Sequence, residues 1–165
     1  NDLALAGTLT VAVVGGMHLA LAQRPGPEAL LIAVAAVAGL AWDSMLVALG
    51  LMVYPSGNFA PGLAPHWIVA MWALFASSLN LSMAWLKGRP RLAVVFGPVG
   101  GPLAYLGGAR LGGLEMPDPV LGLGAQAVGW AIILPLLALL AERLNGFAAA
   151  PAPAFARVSR ESRHV

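Results

Sequence analysis

The chain has 165 residues, 59% of them hydrophobic and 10% charged, with a mean hydropathy of +0.83. A soluble domain carries roughly 25% charged residues, so this balance excludes an ordinary soluble fold and indicates a polytopic membrane protein. Cysteine is absent, which excludes disulfides and thiolate metal sites, and no soluble basic domain is present to make nucleic acid a partner.

A hydrocarbon layer of about 30 Å needs roughly 20 helical residues, and five segments meet that length: 3–22, 28–54, 65–86, 92–109 and 120–144. They predict an all-α transmembrane helical bundle, a single domain over residues 1–145. The stretch 146–165, "GFAAAPAPAFARVSRESRHV", is predicted to be a flexible cytoplasmic tail.

The first span carries His18, read as a hydrogen-bonded structural residue. The second begins near Glu28 and places Asp43 fifteen residues further on, with Ser44 beside it. An acid at the bilayer centre costs about 2.5–3.5 kcal/mol, so Asp43 should face protein or water. Ala36, Gly39, Val47 and Gly50 share its face, and such small residues admit a neighbouring helix. Tyr54, His66 and Trp67 then bracket a loop and read as an interfacial aromatic belt.

In the third span Ala73, Ala76, Ser77, Asn80 and Ala84 form a small, polar face suited to helix contact. Ile68, Trp72, Phe75, Leu79 and Leu86 form a bulky face suited to lipid. Ser77, Ser78 and Asn80 are expected near the depth of Asp43. The fourth span aligns Gly97, Gly101, Ala104 and Gly108, with Pro98 and Pro102 predicting a kinked or broken helix. Tyr105 lies about one turn inside Arg110, which is an interfacial arginine able to meet lipid phosphate, Glu115 or Asp118. The fifth span contributes Gln126 between Gly122 and Gly129.

The basic residues divide unequally. Arg24, Lys87, Arg89, Arg91, Arg143, Arg157, Arg160 and Arg163 fall on one side of the five spans, and Arg110 alone falls on the other. Positive charge concentrates in cytoplasmic segments, which assigns the side with the C-terminus to the cytoplasm. The first span then starts outside, so a sixth, upstream span is expected before Asn1. The candidate ligand-binding cluster is Asp43, Ser44, Ser77, Ser78, Asn80, Gln126, Tyr105 and Arg110, with Gly39, Gly50, Gly97, Gly101 and Pro102 packing helices. His18, His66 and His164 lie on different segments, so no metal site is expected. No cofactor fingerprint or catalytic set is found.

The stretches "DSMLVALGLMVYPSG", "APHWIVAMWALFASSLNLSMAWL" and "GPVGGPLAYLGGARLG" resemble a family of small bacterial inner-membrane proteins known only as a domain of unknown function. The resemblance rests on Asp43, Trp67, Trp72, Gly101, Pro102 and Tyr105. It implies an additional N-terminal helix. It also implies genomic proximity to enzymes like cyclopropane-fatty-acid synthases and flavin-dependent amine oxidases, and hence a link to acyl-chain modification. The leading expectation is a non-catalytic component that binds membrane lipid or partners a lipid-modifying enzyme. The alternatives are a small permease with a polar cavity around Asp43 and a membrane enzyme using Asp43 as acid or base.

Overall fold

The computed structural model describes residues 2–147. They form five α-helices and no strand: α1 (Asp2–Leu21), α2 (Pro25–Ala48), α3 (His66–Leu79), α4 (Pro90–Arg110) and α5 (Pro119–Arg143), with a short 3-10 helix at Ala84–Leu86. Proline opens α2, α4 and α5, where its missing N–H costs nothing and its fixed φ suits the first turn. Asp118 caps α5 by accepting from the backbone N–H groups of Val120 and Leu121. Four helices, α1, α2, α4 and α5, are long and apolar enough to cross a membrane. The protein is a multi-pass membrane protein.

Three expectations about the helices need correction. The second span was expected to reach residue 54, but α2 ends at Ala48 in a Schellman turn. Gly50 takes φ +69° there, and the N–H groups of Gly50 and Leu51 bond Val47 and Leu46. Gly50 is therefore an exposed turn residue and packs no helix. The third span was expected to reach residue 86, but α3 stops at Leu79 after 14 residues, about 21 Å of helix. Ser77 and Ser78 turn their hydroxyls onto the carbonyls of Leu74 and Phe75, competing with the helical ladder. The fourth span is not broken: α4 runs continuously through Pro98 and Pro102 and packs along α5.

That packing is built from glycine against indole. A Cβ on Gly97 would lie 2.1 Å from the Trp130 carbonyl oxygen, and one on Gly101 2.2 Å from the Trp130 ring. Gly39 of α2 abuts Trp72 of α3, and Gly129 of α5 abuts Trp42 of α2, each leaving 2.1 Å for a Cβ. The Trp72 and Trp130 rings stack with centroids 4.7 Å apart and planes 11° from parallel. The bulky face of α3 consequently lies inside: Ile68, Trp72, Leu79 and the following Leu86 are buried. This reverses the lipid-facing assignment, because the small stripes of α2 and α4 leave room that only large side chains fill.

The bundle has a seam. α3 packs against both α1 and α2, and α4 packs along α5, while α2 and α3 meet α5 only sparingly, as α1 meets α2. The chain crosses between the two units once, through residues 80–89. Those residues lie at the end carrying Arg24, Lys87, Arg89 and Arg143, hereafter the basic end. At the opposite end, loops 49–65 and 111–118 meet in an antiparallel bridge between Val53 and Glu115.

Gly97→Ala is expected to lower the unfolding midpoint in detergent, with about 1–3 kcal/mol of overpacking against the Trp130 backbone. Gly100→Ala, facing open space, should leave the midpoint unchanged or raise it. Equal behaviour of the two would contradict the close α4–α5 contact.

Candidate functional site

Asp43 is fully buried on the α2 face that meets the seam. The Schellman turn at Gly50 reverses the chain, so Met52 and Tyr54 fold back beneath the helix end and are buried. Tyr54 donates its hydroxyl to Asp43 Oδ1 at 2.7 Å. From α3, the Trp72 indole N–H donates to Oδ2 at 2.7 Å. From α4, the Tyr105 hydroxyl lies 2.8 Å from Oδ1 and 2.9 Å from Oδ2. Both carboxyl oxygens are thus engaged by donors from three elements, and among the described residues no cation touches them. Trp72 reaches its position because Gly39, one turn before Asp43, leaves space for the ring. Gln126 of α5 is also fully buried, and its Oε1 accepts from the Trp42 indole at 3.2 Å.

Beside this network, at the seam, lies a half-open groove of about 180 Å³. Trp67, Ile68, Met71, Trp72 and Phe75 form one wall, and Ala104, Tyr105, Gly108, Leu114 and Trp130 form the other. Trp72 and Tyr105 belong to both features. Their polar atoms are committed to Asp43, so the groove receives the ring faces and is almost wholly apolar.

A second buried carboxylate ties the basic end together. Glu28 accepts from Asn80 Nδ2 at 2.7 Å and from the Gly146 N–H at 2.9 Å, while His18 Nε2 lies 2.9 Å from its other oxygen. Asn80 also donates to the Leu144 carbonyl, and Arg24 bonds Gly146 through its backbone and Asn145 through its guanidinium. Phe147 rests on the His18 ring, with centroids 4.9 Å apart. Burial pushes the nearby Lys87 amine below its ordinary range, an effect the Glu28 and Glu142 charges oppose. Gly146 and Phe147 therefore belong to the bundle rather than to a free tail. Residues 148–165 of the expected tail lie outside the described residues.

Of the expected cluster, Asp43, Tyr105 and Gln126 come together at the seam. Ser44 instead accepts from the Ala64 backbone N–H at 3.0 Å. Among the described residues the Ser77 and Ser78 hydroxyls bond only their own helix, and Asn80 belongs to the Glu28 cluster. Their expected shared depth with Asp43 fails because α3 meets Asp43 at Trp72, which leaves Ser77, Ser78 and Asn80 about one to two turns nearer the basic end. Arg110 is exposed and, among the described residues, forms no ion pair with Glu115 or Asp118. Gly39, Gly97 and Gly101 do pack helices, and Pro102 lies within α4. No three His, Cys, Asp or Glu side chains gather among the described residues.

Sequence reasoning missed Tyr54 and Trp72 as partners of Asp43, Trp130 as a groove wall, and the pairing of His18 with Glu28. The available signal was the number of tryptophans beside in-helix glycines, since each close glycine site needs a large ring to fill it.

Removing the acceptor should cost more than removing one donor. Asp43→Ala leaves three buried donors unsatisfied, at about 1–3 kcal/mol each, and should sharply lower the unfolding midpoint. Tyr105→Phe should cost about 0.5–1.5 kcal/mol. Indistinguishable midpoints for the two variants would contradict this network.

No curated protein and no solved structure matches the chain. A family model described as "Protein of unknown function (DUF2878)" matches residues 1–136, which takes in α1 to α4 and most of α5. With the matched region spanning Asp43, its three donors and every wall of the groove, the chain belongs to the DUF2878 family.

Proposed function

We propose that the protein is a non-catalytic lipid-binding component of a bacterial cytoplasmic membrane, holding a hydrocarbon chain in the groove at its seam. The observation that carries this reading is the groove's lining. Ten side chains and backbone positions around about 180 Å³ present aromatic and aliphatic surface almost exclusively. A dry apolar cavity of about 150 Å³ accepts benzene, so this space suits a run of several methylenes. The rim residue Met71 is 53% exposed, on a face that the apolar helices place in hydrocarbon. The medium around the opening is itself the ligand class.

Asp43 serves this site indirectly. It fixes Trp72 and Tyr105 so that their rings, not their polar atoms, face the chain. A permease cavity around Asp43, or acid–base chemistry there, needs a carboxyl group with a free face, and both oxygens are already engaged. The basic end, with Arg24, Lys87, Arg89, Arg91 and Arg143, is assigned to the cytoplasm by the positive-inside rule. A partner that modifies acyl chains accords with a component that presents or retains one.

Filling the groove tests the binding reading. Gly108→Trp and Ala104→Trp should reduce the phospholipid retained through purification, measured by native mass spectrometry, while leaving the unfolding midpoint near that of the parent. Retention equal to the parent in both variants would overturn it. The link to acyl-chain modification is tested by lipid profiles of a strain lacking the protein. Acyl composition should change and be restored by the wild-type chain, and an unchanged profile counts against the partner reading.

A further inference from the structure

The ties across the seam are unevenly distributed. At the basic end, the single covalent crossover is reinforced by Glu28 with Gly146, Asn80 with Leu144, Arg24 with Asn145 and Gly146, and Glu142 with the Gly88 N–H. At mid-seam, Tyr105 joins Asp43, Trp72 stacks on Trp130, and Trp42 meets Gln126. At the opposite end the two units share the Val53–Glu115 bridge, with N–H to O distances of 2.9 and 2.8 Å. The groove also lies towards that end, between Trp67 and Ile68 at the start of α3 and Gly108 and Leu114 at the end of α4. Where the groove leaves the seam unfilled, its walls lack dispersion contacts with each other, and the aromatic contacts of Trp130 with Trp72 and Phe75 carry the packing beside it.

We propose that the α4–α5 hairpin pivots about the Glu28 cluster, so that the seam opens at the Val53–Glu115 end and admits the acyl chain into the groove. The inference rests on the groove's being an acyl-chain site. It adds the route of entry and names the parts of the device. The Glu28 cluster is the hinge because it gathers α1, α2, α3 and the segment after α5 on one carboxylate. The Val53–Glu115 bridge is the clasp because its two backbone hydrogen bonds are the only ones that loops 49–65 and 111–118 exchange among the described residues, beside apolar contacts such as Trp67 on Gly113. Tyr105 is the mid-seam catch, able to leave Asp43 with two donors, Tyr54 and Trp72, from its own unit. Asp43 therefore stays hydrogen-bonded when the seam parts, which lets a buried carboxylate sit at a moving interface.

The chain has no cysteine, so a reversible staple is available. Val53→Cys with Glu115→Cys places a disulfide across the clasp. The same molecules, oxidised and then reduced, serve as their own folding control. The probe is a phosphatidylcholine with brominated acyl chains, whose entry into the groove quenches Trp67, Trp72 and Trp130. Oxidation should slow quenching several-fold, and reduction should restore it. Quenching at the same rate in both states overturns the gate.

Spin-label distances test the motion without any lipid. A pair at Leu5 and Val120, across the seam at the clasp end, should show a broad distribution that lengthens with Tyr105→Phe. A pair at Leu21 and Leu139, across the seam at the basic end, should stay narrow and unmoved. A narrow, unmoved Leu5–Val120 distance overturns the gate even where the groove retains lipid. Movement of that pair without any brominated-lipid quenching supports the gate and overturns the binding reading alone.

Discussion

An acid inside an apolar bundle, with no cation touching it among the described residues, constrains everything packed around it. Inserting Asp43 there costs about 2.5–3.5 kcal/mol. A buried polar group is costly unless its hydrogen-bonding capacity is met, so a set of donors offsets the cost. The protein supplies Tyr54, Trp72 and Tyr105 from three different elements. Each donor in turn dictates backbone: Tyr54 requires α2 to stop at Gly50 and the chain to fold back, and Trp72 requires glycine at position 39. Tyr105 joins α4 to α2 across a seam where the other contacts are chiefly the tryptophan rings of Trp42, Trp72 and Trp130.

Aromatic donors also shape what lies beside the acid. A serine or asparagine satisfies a carboxylate with little bulk. Tyrosine and tryptophan satisfy it with rings, and the ring faces become the wall of a cavity. One interaction thereby has two consequences, a paired acid inside and a water-poor groove next to it. The stacked Trp72 and Trp130 rings extend the same wall across the seam, and glycines at 39, 97 and 101 keep the backbones close enough for the stack to form.

The two buried acids have complementary mechanical characters. Glu28 gathers four segments at the end where the chain itself crosses between units, and it is enclosed by His18, Asn80 and Gly146. Asp43 sits at the seam, and two of its three donors come from its own side. The proposed gate needs one fixed end and one yielding end, and the hydrogen bonds across the seam are distributed with that asymmetry.

Much of the architecture was legible in the chain. Low charge and apolar runs determined a helical membrane bundle. The prolines at 25, 90 and 119 that open α2, α4 and α5 were a start signal that the spans beginning at 28, 92 and 120 did not use. The glycines at 39, 97 and 101 announced close helix contacts, and the cost of an intramembrane acid turned Asp43 inward. These are properties of local composition and spacing, and they act on any fold the chain adopts. The choice of Tyr54 and Trp72 over Ser77 and Asn80 as partners for Asp43 was decided by the tertiary structure. So were the inward turn of the bulky face of α3, the union of His18 with Glu28, and the seam itself. Those outcomes depend on where a helix stops and on which side chain fills the space left by a glycine on another helix. Residues far apart in sequence settle both by competing for the same volume and the same hydrogen bonds, and spacing along one chain carries no record of that competition.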